Sequence, residues 1–184
     1  VPFISETGIF NMPEPQSLLE VINPHEFETP LRDIFSKEYA ASHPEFIHHL
    51  LEYQGQEPRT MWSRATQIDD LSAPNLGTFC EASQIAAGEF SQIVSDLTQA
   101  NYPVTTGLMP WSLTVPWPIE FFMFIDGLDQ ATASFYFLKR TYEPTHVLAR
   151  LPHLVWAKGE KMPISISVVH APEVPLEGLT ASFE

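Results

Sequence analysis

The chain has 184 residues, of which 44% are hydrophobic, and 23 acidic against 9 basic side chains give it a net charge of −14. This composition supports a buried core and excludes a disordered tail. The negative charge repels phosphate backbones and anionic lipid surfaces, which excludes nucleic acids and membranes as partners. Cys80 is the single cysteine, so an internal disulfide is excluded as well, and the compartment is left open.

The opening stretch VPFISETG predicts a short buried strand with a carboxylate where it leaves the sheet. Val1, Phe3 and Ile4 supply the apolar side chains, and the residues from Ser5 to Gly8 supply a polar exit and a turn. Because a lone acid at the end of an apolar strand is a place to look for chemistry, Glu6 is the first candidate site residue.

Helices are predicted next. The apolar spacing and the proline and glycine punctuation indicate short helices at 16–22, 31–40 and 44–51. After a polar, turn-rich segment, apolar residues recur every three or four positions from Leu76 to Ala100, which predicts one long amphipathic helix. These helices are expected to be packing elements.

A second buried strand is predicted from Val104 to Met109, and it ends on Pro110 and Trp111. Another helix is predicted at 130–142. Strands that alternate with helices in this way are typical of βα units with a parallel sheet.

The pattern changes after Glu143-Pro144. Short alternating strands are predicted at 154–156, 164–168 and 179–183, which is typical of an antiparallel sandwich. The sequence therefore predicts a boundary near residue 145, with one domain at 1–145 and a second at 146–184. A complete (β/α)₈ barrel takes about 250 residues and a sandwich about 100, so both parts are expected to be pieces of a larger protein.

Two motifs in the first part carry a resemblance to a known family. Ser5-Glu6-Thr7-Gly8 is followed by Met12-Pro13 and Ser17-Leu18. The second motif is longer: Thr105-Thr106-Gly107, Trp111, Ser112-Leu113-Thr114-Val115, Trp117-Pro118, Asp126 and the stretch SFYFLKRTYEPTHV at 134–147. In order and spacing they resemble the end of the catalytic barrel of glycoside hydrolase family two, in particular its β-mannosidase-like members.

The resemblance implies a fold for both parts of the chain. Residues 1–145 would be the C-terminal portion of a (β/α)₈ TIM barrel, with strands seven and eight and their helices. The stretch LPHLVWAKGEKMPISISVV resembles the opening strands of the immunoglobulin-like domain that follows the barrel, so residues 146–184 would begin an antiparallel β-sandwich. The chain departs from the family pattern at Thr7, where an aromatic residue is usual, and at Thr114-Val115, where Asn-Asp is usual.

The resemblance also implies a function, the hydrolysis of O-glycosidic bonds by a retaining, double-displacement mechanism. Glu6 would be the nucleophile, and Trp111, Trp117 and Ser112 would bind the sugar substrate. A glutamate at the C-terminal end of a barrel strand suits this role, since the active face of such barrels is the C-terminal one. The acid/base glutamate would come from an Asn-Glu segment on strand four, which this sequence lacks, so the isolated chain is expected to be inactive.

Other functions stay open at this point. The chain could be a non-catalytic carbohydrate-binding or scaffold module derived from such a barrel, which the replacement at Thr114-Val115 favours, or a related β-galactosidase or β-glucuronidase. No cofactor is predicted, and no metal, because His43, His48 and His49 do not have ligand spacing. The expected partners are a carbohydrate and either the missing upstream part of the same enzyme or a second copy, which would cover the open strand edges.

Overall fold

The structure is a computed structural model, and it describes residues 2–50, 60–153, 155–171, 173 and 175–180. This part of the chain contains both helices and short strands, which makes the fold mixed α/β. The elements in chain order are β1 (Ile4–Thr7), α1 (Pro15–Leu19), a 3₁₀ turn (Pro24–Phe27), α2 (Lys37–Ser42), α3 (Pro44–His48), α4 (Thr60–Ala65), α5 (Leu76–Ala100), β2 (Leu108–Pro110), α6 (Ala133–Thr141), β3 (Thr145–Arg150) and β4 (Ser165–His170).

Helix α5 is the longest element, and its prediction is confirmed with both bounds. Asn75 caps its N-terminus, since the side-chain oxygen accepts a hydrogen bond from the Thr78 N–H at 2.9 Å. The apolar face of the helix carries Phe79 and Cys80 into the main core, where both are fully buried. Among the described residues, no helix is long and apolar enough to cross a membrane.

The main core lies between α5 and the short helices that precede it. Its large, fully buried side chains come from several different segments of the first 80 residues: Met12, Leu18, Leu31, Ile34, Phe46, Leu50, Met61 and Phe79. Helix α6 packs against α5 as well. The side chain of Gln84 on α5 ties the layers together, because it donates to the carbonyl of Pro13 at 3.1 Å and accepts from the Ala133 N–H at 2.9 Å.

The two strands predicted for the first part are present and pair in parallel, with Ile4 opposite Leu108 and Thr7 opposite Pro110. The prediction that they are buried is wrong, since all their residues are exposed or only partly buried. Both begin later in the chain than predicted. The reason for β2 is that the N–H groups of Val104 and Thr105 still bond to the Asn101 carbonyl at the end of α5. The chain must complete this turn before it can extend.

The second part of the chain forms an antiparallel hairpin. Strands β3 and β4 pair from Thr145 opposite His170 to Arg150 opposite Ser165. The predicted strand at 164–168 corresponds to β4, whereas β3 was missed. Residues 155 and 156 of the strand predicted at 154–156 are not in a strand. Residue 154 lies outside the described residues, and so do residues 181–183 of the strand predicted at 179–183.

Candidate functional site

Strands β1 and β2 bring the first two candidate residues to the same edge of the parallel pair. Glu6 is the third residue of β1, and Trp111 follows the last residue of β2 directly. The Trp111 N–H donates a hydrogen bond to the Thr7 carbonyl at 2.8 Å, which fixes the register at this end. Glu6 is exposed, so its carboxylate is open to solvent at the carboxyl end of the pair.

The indole of Trp111 is held by neighbouring aromatic rings. It stacks on Phe122, with ring centroids 5.9 Å apart and an angle of 18° between the planes, and it meets the edge of Phe121 at 5.9 Å. Phe10 packs behind Phe122 at 4.2 Å. Trp111 nevertheless stays 45% exposed, so the ring is oriented by packing while much of its surface is open. A flat, apolar and partly exposed indole can support the C–H face of a sugar.

The backbone after β1 passes very close to the backbone after β2. A Cβ atom on Gly8 would collide with the Trp111 carbonyl oxygen and lie 2.9 Å from a ring carbon of Phe122, so only glycine fits here. The space between Gly8, Asn11, Trp111 and the residues below them is too small to hold a water molecule. The described residues at this edge therefore form an open surface over a tightly packed floor.

Ser112 is held in this surface by hydrogen bonds to the backbone. The peptide bond between Trp111 and Ser112 is cis. The Ser112 N–H and hydroxyl both point at the Phe122 carbonyl, at 2.8 and 2.7 Å. The hydroxyl hydrogen is therefore used by the protein, and a ligand could engage this oxygen only as an acceptor of hydrogen bonds.

Trp117 lies in a different environment from Trp111. It is half-buried and packs against the end of α3, with its ring 4.7 Å from His49 and 5.3 Å from His48. The Nδ1–H of His49 donates to the Pro118 carbonyl next to it. Burial lowers the pKa of His49, although this hydrogen bond works in the opposite direction. These contacts hold the indole of Trp117 against the end of α3.

Two buried polar residues near the site were missed by the sequence analysis. Glu120 is 0% exposed, and its N–H donates to the His49 carbonyl at 2.9 Å. Asn11 is buried too, and its amide donates to the Met123 carbonyl at 3.0 Å. Glu120 is the one charged residue in the otherwise apolar run from Val115 to Ile125, a signal that could have drawn attention to it.

Asp126 organises the turn that leads into α6. Its carboxylate is fully buried and accepts hydrogen bonds from the N–H groups of Leu128 at 2.9 Å, Gln130 at 3.0 Å and Glu14 at 3.1 Å. Three backbone donors account for its burial. Its contacts are those of a structural residue.

His43, His48 and His49 have structural contacts as well. His43 stacks on Tyr39 with ring centroids 3.9 Å apart, and His48 and His49 lie against Trp117. Within the described residues, no three His, Cys, Asp or Glu side chains are grouped closely enough to hold a metal ion.

Comparison with known proteins gives a structural match. No protein-family model matches the chain, and no curated protein matches it at a significant level. The fold is similar to the crystal structure of a β-D-mannosidase from Dictyoglomus thermophilum, with a TM-score of 0.69 and 19% sequence identity. The match covers 92% of this chain and 18% of that chain, so this chain spans less than a fifth of that protein's length. At this identity the match shows a shared fold.

Proposed function

We propose that the chain is part of a retaining β-glycosidase of glycoside hydrolase family two, of the β-mannosidase-like type. The observation that carries the proposal is that Glu6 and Trp111 lie at the same end of the parallel pair, Glu6 on β1 and Trp111 directly after β2. Glu6 is exposed, and the indole of Trp111 is oriented by packing and partly exposed. The fold shared with a β-mannosidase supports it independently.

In the proposed mechanism, Glu6 attacks the anomeric carbon of the sugar and forms a covalent glycosyl-enzyme intermediate. A second carboxyl group, about 5–5.5 Å away, protonates the leaving group and then activates the water that releases the sugar. Trp111 supplies the platform for the sugar ring, and Ser112 and Trp117 complete the binding surface. The second carboxyl group would come from outside these 184 residues, so the chain alone is expected to be inactive.

The proposed domain division follows from this assignment. Residues 1–145 would be the last part of a (β/α)₈ barrel, with β1 and β2 as strands seven and eight, and residues 146–184 would begin a β-sandwich of immunoglobulin type. The change from a parallel pair to an antiparallel hairpin supports this division, and it occurs at Thr145, where β3 begins.

The exposed apolar residues around the parallel pair support a partner for this part of the chain. Phe3 is 46% exposed, Met109 57% and Leu113 61%. Exposed strand edges with apolar side chains invite further strand pairing, and proteins usually cover them. We propose that the upstream part of the same enzyme occupies this surface, with a second copy of the chain as the alternative.

The test is hydrolysis of an aryl β-mannoside by the full-length polypeptide that contains these residues. Glu6→Gln keeps the shape of the side chain and removes the nucleophile, so turnover is expected to fall by on the order of a thousandfold or more. Glu20→Gln, which changes another exposed glutamate, is the matched control and is expected to keep full activity. Turnover that survives in Glu6→Gln would show that the nucleophile assignment is wrong.

A second candidate function is carbohydrate binding without hydrolysis. It is favoured by Thr114-Val115, which stand where the family pattern has Asn-Asp. In this case Trp111→Ala would abolish binding of manno-oligosaccharides measured by calorimetry, Glu6→Gln would leave it intact, and no variant would show turnover. Hydrolysis by the wild-type full-length polypeptide would exclude this alternative.

A further inference from the structure

A pair of buried ionisable side chains lies away from the candidate site, where the hairpin meets α5. Asp96 is near the end of α5, and His146 is the second residue of β3. Asp96 Oδ1 and His146 Nε2 are 3.9 Å apart, and the two side chains are only 10% and 9% exposed. Neither of these atoms has a hydrogen-bond partner among the described residues. Buried polar atoms are rarely left in this state, so the pair requires an explanation.

The hydrogen bond at the other ring nitrogen fixes the tautomer of His146. Nδ1 lies 3.0 Å from the Glu143 carbonyl oxygen. A carbonyl can only accept, so Nδ1 must carry the hydrogen, and in the neutral ring Nε2 is then a bare acceptor. The Asp96 carboxylate is also an acceptor. Two acceptors face each other at 3.9 Å. One added proton on either of them would supply the missing donor, and a small approach of the two atoms would then complete a hydrogen bond.

Residues from α5, α6, the turn that follows α6, and β4 surround the pair. A cavity of about 290 Å³ beside it is lined by Gln92 from α5, Arg140 from α6 and Glu143 from the turn that follows. On β4, the uncharged Val169 is opposite His146, and the neighbouring His170 bonds to the Thr145 hydroxyl at 2.7 Å. The charged groups beside the pair are therefore Arg140 and Glu143, which carry opposite charges.

Burial acts on this pair in a definite direction. It raises the pKa of Asp96, although His146 and a hydrogen bond from Gln92 oppose the change. An acid whose pKa is raised by folding contributes stability at low pH that is lost as the pH rises. The missing hydrogen between the two acceptors acts in the same direction, since protonation completes the contact.

We propose that the Asp96–His146 pair takes up one proton when the β3–β4 hairpin docks on α5, so that the docking of the hairpin is strengthened by acid and weakened by alkali. A carboxyl group in an undocked hairpin releases its proton near pH 4. Burial in the docked hairpin raises the pKa of Asp96, so the strengthening is complete below about pH 4 and is lost as the pH rises through the raised pKa of this carboxyl group.

The test compares the full chain with Asp96→Asn. The amide introduced by this substitution would donate a hydrogen to Nε2 of His146 without taking up a proton, so it mimics the protonated pair at every pH. Unfolding by urea and the amide exchange protection of Val147 and Leu148 would be measured at pH 4.0 and 7.0. For the wild type, we expect protection of the hairpin to fall with rising pH by up to about tenfold per pH unit relative to the variant. Asp96→Asn should therefore be more protected than the wild type at pH 7.0.

Two further variants make the test decisive. Glu81→Gln removes one negative charge from an exposed position on the same helix, and it should follow the wild type at both pH values. His146→Gln places a neutral donor opposite Asp96, and it should also weaken the pH dependence of amide exchange protection in the hairpin. This variant replaces Asp96→Asn in the test if Asp96→Asn does not fold. An unchanged ratio between wild type and the variants at the two pH values would overturn the proposal. So would a change of the same size in Glu81→Gln.

Discussion

The helical region around α5 and the β3–β4 hairpin are stabilised in different ways. In the helical region, large side chains such as Phe46, Phe79 and Met61 are at most 1% exposed and contact one another. In the described part of the hairpin, Leu148 is the one large apolar side chain buried to this degree, while Val147 is 66% exposed and Val168 43%. The helical region thus has a core of its own, and the hairpin depends on its contact with α5.

Truncation in the helical core should have the largest effect. Phe79→Ala would remove a fully buried ring that meets Trp62 at 5.3 Å and Phe46 at 6.5 Å. The loss of burial and the cavity left behind should lower the free energy of unfolding by about 3–5 kcal/mol, measured by urea denaturation. The control is Tyr136→Ala, which removes a ring that is 54% exposed and should cost far less. Equal losses in both variants would contradict the existence of a separate helical core.

Truncation in the hairpin should have a smaller and local effect. Leu148→Ala removes the buried side chain of β3, and such a change costs about 2–5 kcal/mol where the site cannot collapse. Because the helical core does not include Leu148, amide exchange should accelerate in β3 and β4 while α5 keeps its protection. Val147→Ala, on the exposed side of the same strand, is the matched control. Loss of protection along the whole of α5 in Leu148→Ala would show that the two regions unfold as one unit.

The same contrast explains which elements could be predicted from the sequence. The pattern for α5 extends over 25 residues, so its period was unambiguous and both bounds were correct. The helix predicted at 31–40 begins only at Lys37, because Asp33 has a positive φ of 52° and Ser36 caps the helix by accepting from the Tyr39 N–H. Strand β3 was missed, since one buried residue among exposed neighbours leaves little apolar alternation to detect.

The candidate site was predictable to a similar degree. The parallel pairing of β1 and β2 follows from the alternation of strands and helices, and it suffices to bring Glu6 and Trp111 to one edge. The engagement of the Ser112 hydroxyl was not predictable, because its acceptor is the carbonyl of Phe122, ten residues further along an irregular segment. The burial of Glu120 likewise depends on how that segment folds back onto α3.

The two regions should also respond to acid in opposite directions, and His49 provides the counterpart of the hairpin pair. It is buried at the end of α3, where it donates to the Pro118 carbonyl and packs against Trp117. Burial lowers its pKa in the folded chain, so folding favours the neutral ring. The unfolded chain takes up this proton near pH 6.5, which means that the contribution of His49 to stability is present above that pH and is lost as the pH falls.

His49→Gln should remove this part of the acid sensitivity, which is the smallest of the expected effects. The glutamine amide can still donate a hydrogen bond but does not titrate. The free energy of unfolding would be measured between pH 7.5 and 5.0, and the decline on acidification should be shallower in the variant than in the wild type. His25→Gln, at an exposed position in the 3₁₀ turn, should leave the decline as it is. If both variants decline like the wild type, His49 is not the group that makes the helical region sensitive to acid, and the contrast with the hairpin would have to be explained by other residues.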